Sequence, residues 1–435
     1  MSSFTAEVYQ NEYLPLGGAE VNAIVTVTSP GGAARAGPAA GAGAGRPPDA
    51  AEIIIIDTSG SMDVPKGKIK AAREATSVAI DCIRDGVAFG VIAGTDVARM
   101  VYPDHGGLQL ASDVTRNAAK AAVAGLQAGG GTAIGSWLTV ARHMLGTRAQ
   151  DRVCHAILLT DGENQSESAE ELDRVLDTCE GHFQCDCRGV GSDWEVSELR
   201  RVASKLLGTV DIIADPADMA SDFRAMIETA MGKATRSVSL RLWTPQGATV
   251  AFVRQVAPTI EDLTERAAAV DARTVEYPTG TWGSESRDYH LCIDAAPREV
   301  GDEMLVGRLS LVEGNKVLGQ ALIKAIWTDD QQLSTRINRE VAHYTGQAEL
   351  ADVIQDGLEA RKAGDEATAT VKLGRAVQLA SESGNDGTMK LLQAVVEVDD
   401  PATGTVRLKR EVADVDEMAL DTRSTKTVRT GPGGA

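Results

Sequence analysis

Asp57, Ser59 and Ser61 stand at alternate positions in the stretch Ile56-Asp57-Thr58-Ser59-Gly60-Ser61-Met62 and put one carboxylate and two hydroxyls on a short loop. All three are hard oxygen donors, which suit Mg²⁺ or Mn²⁺ and do not suit a soft metal. A second loop, Gly129-Gly130-Gly131-Thr132-Ala133-Ile134-Gly135, brings the hydroxyl of Thr132 to a helix start, and a third, Leu158-Leu159-Thr160-Asp161-Gly162, ends on the carboxylate of Asp161. Ser or Asp after a strand is commonly no more than a helix cap or a turn. Five such donors in order, each at a strand end or a helix start, favour a shared metal site over five separate caps.

The elements that must position these donors alternate along the chain. Apolar runs over Glu52–Asp57, Val87–Ala93, Val153–Thr160, His182–Val190 and Val210–Ala214 read as buried parallel strands, with amphipathic helices over Lys66–Arg84, Asp113–Leu126, Ile134–Leu145, Ala169–Cys179, Val196–Leu206 and Ala217–Met231 between them. Val97–Tyr102 reads as an antiparallel edge strand. This is the pattern of a doubly wound, Rossmann-like α/β domain over residues 51–232, in which ligands bind outside the carboxyl ends of the strands. The three donor loops lie at those ends.

Residues 1–30 alternate with period two, and residues 31–50 are almost wholly Gly, Ala and Pro, a flexible linker by composition. Period two returns over 235–328, with turn signals at Pro245-Gln246-Gly247, Pro278-Thr279-Gly280 and Gly314-Asn315, the pattern of a β-sandwich. An isolated hairpin is marginal in water, so the first strands are expected to join this sandwich, with the α/β domain inserted between them and the rest. Residues 331–397 turn helical and read as a C-terminal helical hairpin of the kind seen in tetratricopeptide repeats, broken at Gly364-Asp365. Residues 399–435 are polar and punctuated by Pro and Gly, and are expected to be a disordered tail.

Taken together, the D-x-S-x-S of Asp57, Ser59 and Ser61, followed by Thr132 and Asp161, resembles the metal-ion-dependent adhesion site of the von Willebrand factor A domain family. The likeness covers about 180 of the 435 residues and includes the strand end Gly189-Val190-Gly191-Ser192-Asp193. It implies a Mg²⁺ or Mn²⁺ bound directly by Ser59 and Ser61, directly or through water by Thr132, and largely through waters by Asp57 and Asp161. It further implies an adhesive role, in which the ion's remaining position takes an Asp or Glu carboxylate from a protein partner. Bacterial proteins of similar layout accompany kinases and forkhead-associated proteins. A stress-response or phosphorylation-signalling setting is thus one expectation, with Thr422, Thr425, Thr427 and Thr430 of the tail as candidate phosphorylation sites. A cochaperone or adaptor for a MoxR-type AAA+ ATPase is the alternative, and a metal-dependent hydrolase a weaker one.

Composition narrows the field further. The 435 residues carry 43 Lys and Arg against 62 Asp and Glu, a net charge of −19, which repels phosphate backbones and anionic membranes. Met1–Gln10 has no basic stretch before an apolar one and does not read as a signal peptide, and no run is long enough to span a membrane. Six cysteines are too sparse for a disulfide framework, so the protein is expected in the cytoplasm. The Ala, Gly and Arg content fits a GC-rich, actinobacterial type of sequence. Cys179-x2-His182-x2-Cys185-x-Cys187 has zinc-ligand residue types, but strand alternation puts Cys185 and Cys187 in a core. No G-x-S-x-G or H-E-x-x-H is present and no base is expected beside Ser59 or Ser61, so no enzyme activity is expected.

Overall fold

Ile53, Ile54, Ile55 and Ile56 are all wholly buried, so the strand that carries them is covered on both faces, as strands of a parallel sheet are. The computed structural model describes residues 4–30, 50–64, 67–146 and 152–429, so most of the expected linker at 31–50 lies outside the described residues. The described residues fall into two units, one from 50 to 236 and one combining those up to 30 with those from 237.

The chain opens with β1 (Thr5–Gln10), β2 (Tyr13–Pro15) and β3 (Glu20–Pro30). The α/β unit follows as β4 (Ala50–Asp57), α1 (Lys68–Cys82), β5 (Ala88–Gly94), β6 (Arg99–Tyr102), β7 (Gln109–Leu110), α2 (Asp113–Ala124), α3 (Ile134–Leu145), β8 (Val153–Thr160), α4 (Ala169–Cys179), β9 (Gln184–Val190), α5 (Val196–Lys205), β10 (Val210–Ile213) and α6 (Met219–Met231). The sheet order is β10-β9-β8-β4-β5-β6, with β4 parallel to both β5 and β8, and β6 and β7 antiparallel to β5. The crossovers from β4 therefore diverge to β5 on one side and later to β8 on the other. Asp57 ends the strand at this switch point, where α/β sheets open a crevice. Ile54 and Ile56 share a core with Ala72 and Ala75 of α1 and Phe223 and Ile227 of α6. α3 is held against β5 by Trp137, which leaves no room for a side chain at Gly94, where a Cβ would come within 2.3 Å of the ring. The indole N–H donates to the Thr95 carbonyl at 2.6 Å, fixing the start of α3 beside the end of β5.

The second unit continues with β11 (Ser239–Trp243), β12 (Thr249–Ala257), β13 (Glu261–Asp262), β14 (Ala268–Asp271), β15 (Thr274–Pro278), β16 (Ser284–Asp294), β17 (Glu303–Glu313) and β18 (Lys316–Thr328). It forms two sheets, β1-β3-β16-β12-β13 and β14-β15-β11-β17-β18-β2. β3 pairs antiparallel with β16 from Glu20 to Pro30, and β2 pairs parallel with β18. One apolar core takes Val25 and Leu291 from the first sheet and Leu240, Leu309 and Ile323 from the second.

Beyond the sheets come α7 (Gln331–Ser334), α8 (Arg339–Lys362), α9 (Glu366–Ser383), α10 (Asp386–Val395), β19 (Val396–Asp400), β20 (Thr405–Leu408) and α11 (Asp414–Arg423). α8 and α9 pack against each other, with a break between them where Gly364 takes φ +77° and Asp365 accepts a capping bond from the Thr368 amide at 3.0 Å. The expected two-helix unit nevertheless goes further, because α10, the β19–β20 ribbon and α11 complete one core through Leu392, Val396, Val406 and Leu420.

The expected disordered tail at 399–435 is accordingly corrected for its described part. Its composition is polar, but Val396, Val398, Val406 and Leu408 alternate on a ribbon, and Leu420 is wholly buried. Among the described residues, the expected free tail with candidate phosphorylation sites is instead packed against the rest of its unit. Thr422 is 1% exposed, the Thr427 hydroxyl donates to the Val256 carbonyl at 2.6 Å, and the Thr425 carbonyl accepts from the Ile260 amide at 2.8 Å. Further along, the Val428 carbonyl meets His343 Nε2 at 2.7 Å, and Thr430 lies outside the described residues. Among the described residues no helix is long and apolar enough to cross a membrane.

Leu420→Ala should lower the unfolding free energy of this unit by about 2–5 kcal/mol, as for other buried leucines. Urea denaturation followed by circular dichroism checks this; a loss within about 0.5 kcal/mol, as at an exposed site, would show α11 to be loosely attached.

Candidate functional site

The three donor loops are tied together by backbone hydrogen bonds before any side chain is considered. The Thr58 amide donates to the Gly94 carbonyl at 2.8 Å, the Gly129 amide to the Thr58 carbonyl at 2.8 Å, and the Gly60 amide to the Gly130 carbonyl at 3.0 Å. The Ser166 amide donates to the Thr132 carbonyl at 2.9 Å, joining the second loop to the third. The start of α3 is capped from that third loop as well. Asn164 Oδ1 accepts from the Ile134 amide at 3.1 Å, and Glu167 Oε1 accepts from the Gly135 amide at 2.5 Å.

On this frame Ser59, Ser61 and Asp161 are in direct contact. Ser59 Oγ and Ser61 Oγ lie 2.9 Å apart, and Ser61 Oγ donates to Asp161 Oδ1 at 2.6 Å. Neighbouring ligands on an Mg²⁺ octahedron with bonds of 2.0–2.1 Å are about 3 Å apart, so the two serine hydroxyls already have the spacing of one octahedral edge. Thr132 is 5% exposed and lines the same cleft of about 350 Å³ as Ser59, Ser61 and Gly162. A Cβ on Gly162 would come within 3.1 Å of Ser61 Oγ and 3.5 Å of Thr132 Oγ1, so both hydroxyls reach the space that the glycine leaves free.

Asp57 sits beneath this cluster and has no solvent exposure. Its Oδ1 accepts from the Ser59 amide at 2.7 Å and its Oδ2 from the Thr160 hydroxyl at 2.6 Å. Both donors are neutral, and among the described residues no cation pairs with it. Burial pushes its carboxyl up to about 6, against the opposing pull of the Ser59 and Thr160 hydrogen bonds. A carboxylate held out of water without a countercharge is costly, and a divalent cation above it would supply that charge. The all-oxygen donor set and this unpaired carboxylate both fit Mg²⁺ or Mn²⁺.

Asp161 is differently served. Its Oδ2 accepts from Lys68 Nζ at 2.7 Å, and the same ammonium lies 3.5 Å from Asp193 Oδ2. Lys68 belongs to none of the motifs visible in the sequence. Its partners lie 93 and 125 positions away in the chain, and only the sheet brings them together. The expectation that no base stands beside Ser61 is also corrected, since Asp161 is there, engaged at once by a hydroxyl and an ammonium. The Cys/His stretch lies mostly in β9. Cys185 and Cys187 are wholly buried in β9, and among the described residues no group of three or more His, Cys, Asp or Glu is placed to hold a metal.

A doubly wound α/β unit with an oxygen-rich crevice at its switch point defines the class, and comparison with known proteins defines the family. The profile of the von Willebrand factor type A domain matches residues 51–212, and that of the von Willebrand factor type A C-terminal domain matches residues 378–424, which include the ribbon and α11. The solved structure of a von Willebrand factor type A protein from Catenulispora acidiphila is 49% identical, covers 99% of this chain and 98% of its own, and superposes with a TM-score of 0.91. The chain belongs to the von Willebrand factor type A family. The ArnB paralog VWA2 from Sulfolobus acidocaldarius shares the fold at 15% identity, with a TM-score of 0.55 over 98% of this chain and all of its own. An uncharacterized protein of Synechocystis sp. is 28% identical over 217 residues, a match that spans 48% of this chain and 49% of that relative.

The Asp57 carboxyl keeps its proton up to about pH 6 in the folded chain, against an ordinary value of 3.8. The folded state therefore holds the extra proton between those values, and without a divalent ion this group's contribution to stability declines as pH rises through that window. Metal binding needs the ionised form. Affinity for Mn²⁺, measured by calorimetry, should be flat above about pH 7 and fall by about tenfold per unit below pH 6. A flat profile down to pH 5 would remove Asp57 from the site.

Proposed function

We propose that the strand-end cleft is a complete metal-ion-dependent adhesion site, in which Ser59, Ser61 and Thr132, with Asp57 and Asp161, hold Mg²⁺ or Mn²⁺, and that the chain uses it to capture an Asp or Glu side chain of a protein partner. The observation that carries this reading is the buried Asp57 carboxylate, paired with no cation among the described residues and bonded to the amide of Ser59, whose hydroxyl lies 2.9 Å from that of Ser61. A bound divalent ion supplies one coordination position for the incoming carboxylate. The protein's own groups do the rest. Asp57 and Asp161 orient the serines through the Ser59 amide and the Ser61 hydroxyl, and the hydrogen bonds between loops hold the rim to one shape. The role is binding without turnover.

In this reading the α/β unit is an insertion between β3 and β11 of a two-sheet sandwich, a topology supported by the pairing of β3 with β16. The cytoplasm is the proposed compartment, supported by six cysteines that form no disulfide among the described residues, five of them buried.

Immobilised protein incubated with lysate in Mg²⁺ or in EDTA, and read by mass spectrometry, tests the adhesive role. A partner held in Mg²⁺ should be released by EDTA and depleted about tenfold or more on Thr132→Ala, with the circular dichroism spectrum unchanged. Equal capture in Mg²⁺ and EDTA would end the adhesion reading.

A further inference from the structure

Lys68 is the first residue of α1, preceded by Gly67 at φ +114°, and the first turn of that helix contains no acidic residue. A cation there is repelled by the positive end of the helix dipole, and local preference would place a carboxylate or a neutral cap. The side chain is nevertheless 4% exposed, with its ammonium 2.7 Å from Asp161 Oδ2 and 3.5 Å from Asp193 Oδ2. Burying an ammonium costs several kcal/mol unless its partners repay it. A residue that is unfavourable in its own helix and costly to bury is held there by what it does for the carboxylates.

We infer that Lys68 sets the charge of the site, weakening its grip on the metal in order to strengthen the loaded site's grip on an anionic ligand. This rests on the adhesion-site reading above and extends it to the regulation of that site. Asp57 and Asp161 alone would give the donor set a charge of −2; the Lys68 ammonium on Asp161 brings it to −1. Holding a divalent ion, the set is then left at +1 rather than neutral. Surplus positive charge in a partly buried cleft attracts a carboxylate more strongly than a neutral centre does. Glu163 and Asp193 add negative charge at the cleft wall and no Lys or Arg lines it among the described residues, so what draws a carboxylate is the one unit of charge that the Lys68 ammonium adds to whatever the walls carry. Lys68 also engages one oxygen of Asp161, leaving the other to orient Ser61. It is thus a positioning and charge-setting residue, not a metal ligand.

The charge account predicts opposite changes in two affinities, which loss of positioning alone does not. Lys68→Met, neutral and of similar length, should bind Mn²⁺ about tenfold more tightly than the parent by calorimetry. The Mn²⁺-loaded variant should bind acetate about tenfold more weakly, read from the relaxation of Mn²⁺-bound water protons. In EDTA the variant should melt several degrees below the parent, because Asp161 is left buried and unpaired, and saturating Mn²⁺ should recover most of that loss. Lys68→Arg keeps the charge and should stay within about threefold of the parent in both affinities, and Lys68→Gln serves as the neutral variant should Lys68→Met fail to fold. Mn²⁺ affinity that is unchanged or weaker in the neutral variants, or acetate affinity that does not fall, overturns the role given to Lys68 and leaves the adhesion site standing. A parent protein that binds no Mn²⁺ overturns the adhesion site itself.

Discussion

A carboxylate removed from water at the end of the central strand is the constraint on which the rest of the site depends. Asp57 ends a strand whose four preceding isoleucines are wholly buried, so it inherits their apolar surroundings, and its two hydrogen bonds come from neutral groups. Asp161, just past the end of the neighbouring strand, faces the same problem and has Lys68 as its partner. Two buried carboxylates with one ammonium leave a surplus negative charge beneath a cleft walled by hydroxyls. Such an arrangement favours a proton on the carboxyl or a cation beside it, and the rise of the Asp57 carboxyl to about 6 expresses the first of these. The second is the chemistry proposed for the protein.

The surrounding fold answers a second requirement, that donors from loops 29 to 104 positions apart in the chain meet at one cleft. Side chains alone would not achieve this. The amides of Thr58, Gly60, Gly129 and Ser166 bond across loops, and Asn164 and Glu167 of the third loop cap the helix that follows the second. Glycine at 94 lets Trp137 press α3 against the sheet, and glycine at 162 leaves open the space between the Ser61 and Thr132 hydroxyls. Rigid backbone beneath the donors is what allows a site made mainly of neutral hydroxyls to hold a preferred geometry.

Much of this was legible in the sequence, and the parts that were not share a physical cause. Asp57, Ser59 and Ser61 could be read together because they lie within five residues, and Thr132 and Asp161 because each adjoins an element whose apolar periodicity is strong. β8, α3 and α4 begin and end where their patterns do. Lys68 is not legible because its meaning lies in partners far along the chain, and the periodicity, which starts the helix at Lys66, does not mark it as the first helical residue. The capping of α3 by Asn164 and Glu167 is invisible for the same reason of distance. The ribbon and helix between 396 and 423 were misread for another. Their apolar residues are few and interrupted by Asp400-Pro401 and Gly404, so composition pointed to disorder, whereas each of those few side chains fills a gap in a core built by α8, α9 and α10.

The most direct measurement is anomalous diffraction at the manganese edge from crystals grown with Mn²⁺. The account predicts one strong peak per chain within about 2.5 Å of the Ser59 and Ser61 hydroxyl oxygens, with Asp57 beneath it and Lys68 still on Asp161. A cleft without a peak in crystals grown at saturating Mn²⁺, or a peak ligated elsewhere on the chain, would contradict it.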